Sequence, residues 1–231
     1  MDKDISQLEK NIGIKFKNVD LLRQAMVHRS YINENKDFPL DHNERLEFLG
    51  DAVLELVVTD YIFANYPNPE GELTNWRSAL VNSVMLSTKS QELDINSFLF
   101  LSRGEAKDIG KAREIILANA FEALIGAIYL DQGYEVARKF ITDVIIVELP
   151  RILELGLYMD PKSKLQELVQ EEFGITPNYQ VLDEWGPDHA KKFKIAVSIE
   201  DKKIGEGEGP SKQEAQVSAA EDALLEDKWK K

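Results

Sequence analysis

Apolar side chains recur at helical spacing along five stretches: Val19–Ile32, Glu44–Ala64, Leu73–Leu93, Ile115–Asp131 and Tyr134–Leu155. Each predicts a helix with one face turned to a core. Pro67 and Pro69 with Gly71, Gly104 with Gly110, and Gly133 supply the breaks between them. Nothing in this region alternates with period two for long, so residues 1–156 read as one all-helical domain. Beyond Asp160-Pro161 the pattern changes. Lys164–Phe173 is amphipathic, with Leu165, Leu168, Val169 and Phe173 on one side, while Asn178–Trp185, Lys192–Ile199 and Lys203–Gly207 read as strands. Ser211 then opens an Ala-rich helix to Leu225, with Glu214 at capping-box spacing. Residues 157–231 are therefore a small α+β domain of order αβββα. The connector Leu155–Ser163 contains Gly156 and Pro161 and predicts hinge-like mobility between the two.

Composition narrows the function classes. With 43% apolar residues in 231, the chain can build a core and is no disordered polyanion. The absence of cysteine excludes disulfide scaffolds and thiolate zinc sites, and three histidines leave little for a zinc enzyme. The N-terminus has no signal-peptide apolar core, and the longest apolar stretch, Ile115–Leu130, is short for a membrane span and carries a glutamate. A soluble cytoplasmic protein with no membrane partner is the expectation. The net charge of −13 argues, at face value, against nucleic acid. Residues 1–156 hold 17 basic and 25 acidic side chains, and residues 157–231 hold 11 and 16, so any nucleic-acid surface must be a local cluster.

The acidic residues are not scattered. On a helix through Glu44–Ala64, Glu44, Glu47 and Asp51 fall within an arc of roughly 60°, and Leu46, Phe48, Leu49, Val53 and Leu54 cover most of the remaining circumference. Like charges stacked in this way repel, and a divalent cation with a taste for hard oxygen ligands, magnesium or manganese, would relieve that. An ordinary solvated acidic face is the competing reading. Gly50 in mid-helix costs about 1 kcal/mol against alanine, which points to close approach of another backbone or of a ligand. A second helix, Ile115–Leu130, has two polar interruptions, Asn119 and Glu122, three apart and so on one face. A glutamate among such neighbours needs a partner, which is either a metal or a cation such as Arg77. Glu70, in Glu70-Gly71-Glu72, either adds a carboxylate near a substrate or is a solvated turn residue.

Asn43–Leu54 resembles the signature stretch of the ribonuclease III family almost letter for letter. Ile116–Asp131 is similar to that family's second catalytic helix, and His28-Arg29-Ser30-Tyr31 to its N-terminal motif. The likeness runs from about Leu8 through the second domain. It implies a metal-dependent endoribonuclease for duplex RNA, working on ribosomal precursor and other transcripts and leaving 5′-phosphate and 3′-hydroxyl ends with short 3′ overhangs. It places metal ligands at Glu47, Asp51 and Glu122 with a fourth position at Asn119, and further acidic groups at Glu44 and Glu70. Asp51, Glu122, Glu44 and Glu70 are thus the expected catalytic set, and Mg²⁺, with Mn²⁺ as substitute, the cofactor. The resemblance also implies a symmetric homodimer in which Phe48 packs into the partner. Asn119 departs from the Asp of well-known members; its amide still offers one carbonyl oxygen, with one negative charge fewer. A duplex-RNA-binding protein whose nuclease centre is impaired by Asn119 is the alternative, and a purely structural helical metal protein a third reading.

The C-terminal unit resembles a double-stranded RNA-binding domain in three pieces. Gln166 and Glu167 lie on its first helix, Gly186-Pro187-Asp188-His189 forms a strand-connecting loop, and Gly207-Glu208-Gly209-Pro210-Ser211-Lys212 leads into the last helix. The resemblance implies 2′-hydroxyl contacts from Gln166, Glu167 and His189, and phosphate contacts from Ser211 and Lys212. Gln213 stands where a second lysine is usual. Lys191, Lys192 and Lys194 either supply charge or protect a sheet edge. An RNA domain that is acidic by sum binds through few placed donors and a helix N-terminus, so strong dependence on salt and divalent cation is expected.

Overall fold

The computed structural model describes residues 3–187 and 190–230. The chain divides into two compact units, one ending at Tyr158 and the other beginning at Met159. The first is all helical: α1 (Ser6–Ile12), α2 (Val19–Ala25), α3 (Arg29–Glu34), α4 (Glu44–Asn65), α5 (Glu70–Val81), α6 (Ser83–Glu92), α7 (Ile95–Phe98), α8 (Lys111–Gln132), α9 (Tyr134–Val144) and α10 (Leu149–Leu155). Among the described residues no helix is long and apolar enough to cross a membrane.

The centre of this unit is α8 packed along α4. Burial runs nearly all round α8, taking in Ile116, Leu117, Ala120, Phe121 and the whole run Ala123–Ile128, so its apolar composition reflects a helix enclosed by others. The axes approach unusually closely at a pair of glycines. A Cβ on Gly50 would overlap the Glu122 carbonyl oxygen and lie 2.8 Å from the Gly126 nitrogen, and one on Gly126 would meet the Leu46 carbonyl. Backbone contact of this kind admits no side chain, which accounts for Gly50 where helix propensity opposes it.

Three of the expected helices are interrupted. Val19–Ile32 breaks at Met26–His28, where Val27 forms an isolated parallel bridge with Phe100; the Phe100 N–H donates to the Met26 carbonyl (2.9 Å) and the His28 N–H to the Phe100 carbonyl (3.1 Å). Leu73–Leu93 breaks at Asn82, whose extended backbone ends α5 and whose side chain accepts from the Met85 N–H at 2.9 Å to start α6. Tyr134–Leu155 breaks after Val144, before Pro150 in the first turn of α10.

The second unit contains α11 (Pro161–Phe173), β1 (Asn178–Trp185), β2 (Lys192–Ile199), β3 (Lys202–Gly209) and α12 (Lys212–Leu224), followed by a 3₁₀ turn at Leu225–Lys230. The antiparallel sheet has order β1-β2-β3, and the β1–β2 register slips between Val181 and Asp183. The two helices cover one sheet face around Leu165, Val169, Ile195, Val197, Ile204 and Ala219. Gly205 and Gly207 let α12 lie directly on β3: a Cβ at Gly205 would stand 2.8 Å from the Ala223 nitrogen. Asp160 caps α11 by accepting from the Lys162 and Ser163 N–H groups, and Ser211 caps α12 by accepting from Glu214 N–H at 3.1 Å.

Candidate active site

The N-terminus of α4 is fixed by Asn43. Buried, it donates its side-chain amide to the Ala25 carbonyl (3.1 Å) and its backbone N–H to the Val27 carbonyl (2.9 Å). Glu44 and Glu47 occupy the first turn of α4, where the helix dipole favours negative charge, and Asp51 follows one turn on. Glu122 lies on α8 at the residue whose carbonyl abuts Gly50, so the glycine contact itself brings Glu122 against Glu47 and Asp51.

The electrostatics record that proximity. Burial, then the charges of Asp51, Glu47 and Glu55, push the Glu122 carboxyl up to about 7. Glu47 is also raised, first by burial and then by Glu44 and Asp51, against a hydrogen bond from the Asn119 amide that favours its charged form. Arg77 does not neutralise Glu122: its guanidinium pairs with Glu55 at 3.1 Å and donates to Thr59. Glu55 was not singled out from the sequence, although it continues the stripe one turn beyond Asp51 at i+4.

The structure brings Glu47, Asp51, Asn119 and Glu122 together, with Glu44 exposed beside them in an ion pair to Arg29 (3.2 Å) and 3.8 Å from His42 Nδ1. Glu70 lies apart from them. It is the first residue of α5 rather than a turn residue, accepts from Thr74 Oγ1 at 3.1 Å, and lines a cavity of about 230 Å³ with Ile62, Phe63, Leu73 and Arg77. Its charge is not among those acting on Glu47 or Glu122. Phe48, 81% exposed, is on the same helix as the acidic stripe, as are the exposed Leu56 and Phe63.

Among the described residues no three acidic or histidine side chains are drawn into a metal-holding cluster. The donor set itself, several carboxylates and an amide oxygen with no basic group among the described residues acting on Glu122, is one that suits a hard divalent cation. The raised Glu122 has a consequence for stability in chelator. A carboxyl near 7 in the folded chain against 4.5 unfolded stabilises the fold fully below about pH 4.5, and that contribution is lost as pH rises to about 7. The native chain should therefore lose thermal stability relative to Glu122→Gln between pH 5 and 7.5; a difference that stays constant across that range would contradict the burial.

In the small domain Gln166 and Glu167 are exposed on α11, Ser211 caps α12, and Lys212 is its exposed first residue, with the ammonium 5.7 Å from the Phe193 ring centre. Gln213 beside it is exposed. His189 and Asp188, expected at the strand-connecting loop, lie outside the described residues.

Comparison with known proteins covers both units. Residues 18–149 match the family model described as ribonuclease-III-like, and residues 161–226 match the double-stranded RNA binding motif. Ribonuclease 3 of Dehalococcoides mccartyi is 43% identical over 96% of this chain and 94% of its own. That of Streptococcus gordonii is 44% identical over 97% of each. A structure of the nuclease domain of ribonuclease III from Campylobacter jejuni, reported for structural flexibility in a region involved in dimer formation, is 38% identical with a TM-score of 0.57, covering 64% of this chain and 99% of that one.

Proposed function

Since the chain belongs to the ribonuclease III family and is a double-stranded RNA endoribonuclease, we propose that the acidic face shared by α4 and α8 is its hydrolytic centre. The family generally uses a divalent metal; here Glu47, Asp51 and Glu122, with the Asn119 carbonyl oxygen, would hold Mg²⁺, or Mn²⁺ in its place. When bound, the cation supplies charge stabilisation at the phosphodiester and lowers the pKa of water. The protein's own contribution is placement. Backbone contact at Gly50 and Gly126 brings Glu122 within range of the Asp51 charge, and Glu44, paired with Arg29 and exposed, would stand where water and substrate enter. Glu70 would act from farther off, on the RNA. The single observation that carries this reading is Glu122: half-buried, pressed by three acidic neighbours and given no basic partner among the described residues, it makes sense as a ligand.

The products are expected to carry 5′-phosphate and 3′-hydroxyl ends with short 3′ overhangs, from cuts in both strands by a homodimer. Phe48, Leu56 and Phe63 on α4 supply an exposed apolar stripe for such pairing, and the C. jejuni relative has a region involved in dimer formation. Ribosomal precursor and other structured transcripts are the expected substrates. The test is cleavage of long duplex RNA in Mg²⁺ by this chain and by Asn119→Asp. Cleavage by both, within about tenfold of each other, is expected, since exchange of one oxygen donor retains the ligand geometry. Cleavage by the Asp form alone would mean that Asn119 has disabled the centre, and cleavage by neither would refute the hydrolytic assignment.

A further inference from the structure

Lys212 and the uncharged Gln213 open α12, and a second cation reaches that helix end from another element. Three lysines, Lys191, Lys192 and Lys194, stand at or beside the start of β2, and they diverge in space. Lys192 and Lys194 alternate with the core residues Ile195 and Val197 and so occupy the sheet face away from the helices. Lys194 is bound there to Glu206 at 3.1 Å, which Lys203 also engages, and Lys192 lies opposite Trp185 at the end of the ladder. Lys191 takes another course. Its ammonium sits 5.8 Å from the centre of the Phe193 ring, the same ring that holds the Lys212 ammonium at 5.7 Å. Phe193 in turn pairs across β3 with Gly209, two residues before the Ser211 cap of α12. One aromatic ring thus gathers two cations from distant parts of the sequence at the helix N-terminus.

We propose that Lys191 is a phosphate-contacting residue of the RNA-binding surface, forming with Lys212 a cation pair organised by Phe193 and taking over the charge that Gln213 omits. The proposal rests on the reading of the small domain as the RNA-binding unit. Glu184, opposite Phe193 in the β1–β2 register, is bound to the Lys191 ammonium at 3.1 Å, with both side chains substantially exposed. A pair so exposed contributes little to stability, so an RNA phosphate can displace the carboxylate at small cost. Glu184 thereby acts as a stand-in anion that holds the lysine in place before RNA arrives.

The test is the salt dependence of binding by the full chain, read by fluorescence anisotropy on a blunt duplex RNA in Ca²⁺. Each phosphate contact contributes about one unit to the slope of log affinity against log salt. Lys191→Met should reduce that slope by about one, so that between 50 and 200 mM salt it loses about 3.5-fold less affinity than the native chain. Its melting temperature should be unchanged, and Glu184→Gln should bind more tightly than native. Lys212→Met is the reference. If it lowers the slope and Lys191→Met does not, Lys191 makes no phosphate contact although the RNA-binding reading stands. If the native complex is itself insensitive to salt, that underlying reading fails and the proposal with it.

Discussion

Glu122→Gln is expected to reduce cleavage of duplex RNA by on the order of 10³-fold, equivalent to roughly 4 kcal/mol of lost transition-state stabilisation, while duplex binding in Ca²⁺ persists through the C-terminal domain. The substitution keeps the volume and hydrogen-bonding reach of the side chain and removes only its charge. In the folded chain that charge is resisted by burial and by Asp51, Glu47 and Glu55. The amide therefore relieves the site when no metal is present, and the variant should melt at or above the native temperature in chelator near neutral pH. Activity and stability moving in opposite directions is the signature of a group retained for chemistry. A loss of cleavage below tenfold, or a loss that tracks a lower melting temperature, would remove Glu122 from the hydrolytic centre.

Gly50→Ala should be the most damaging single-methyl addition in the helical domain. Helix propensity alone predicts a gain of about 1 kcal/mol. Against that, the new Cβ would overlap the Glu122 carbonyl oxygen and stand 2.6 Å from its carbon. Neither obstacle is a side chain that can rotate away, so α4 and α8 must separate along their whole contact. A net cost of about 3 kcal/mol is expected, a fall of about 10 °C in melting temperature for a domain of this size. Cleavage should fall as well, because separation of the helices moves Glu122 away from Glu47 and Asp51. Gly71→Ala, in the first turn of α5 with nothing within 4 Å of its added methyl, serves as the comparison and should be neutral or slightly stabilising. Equal melting temperatures for the two variants would show that α4 and α8 do not meet at Gly50.

Helical periodicity revealed the elements but not their ends. Glu44–Ala64 and Ile115–Asp131 were legible because a helix enclosed by others is apolar over most of its surface, and this holds for α8 and much of α4. The break at Met26–His28 was not, since it is stabilised by hydrogen bonds to Phe100, more than 70 residues away. Asn82 ends one helix and caps the next within a stretch whose apolar spacing scarcely changes. Pro150 marks the third break, which the continuous apolar spacing of Tyr134–Leu155 concealed. In the site, i, i+3 and i+7 spacing was enough to group Glu44, Glu47 and Asp51, and Gly50 signalled the close neighbour that proves to be the Glu122 backbone. Two tertiary facts lay beyond the sequence: Arg77 is taken by Glu55 rather than by Glu122, and Glu70 belongs to a separate cavity. The net charge of −13 misdirected most, because it sums over both units and says nothing of where Lys212 sits.

The slip in register between Val181 and Asp183 bears on how this protein survives at high concentration. Val181, Leu182 and Trp185 leave apolar surface on β1, an outer strand of the sheet, where an uninterrupted ladder would invite a strand from another molecule. The irregularity breaks the run of free donors and acceptors into short pieces and twists the strand, so an incoming chain finds no long template. The opposite margin, β3, is guarded differently, by Lys202, Lys203, Glu206 and Glu208. Two margins with separate safeguards let the sheet carry exposed hydrophobic residues without becoming a seed for aggregation.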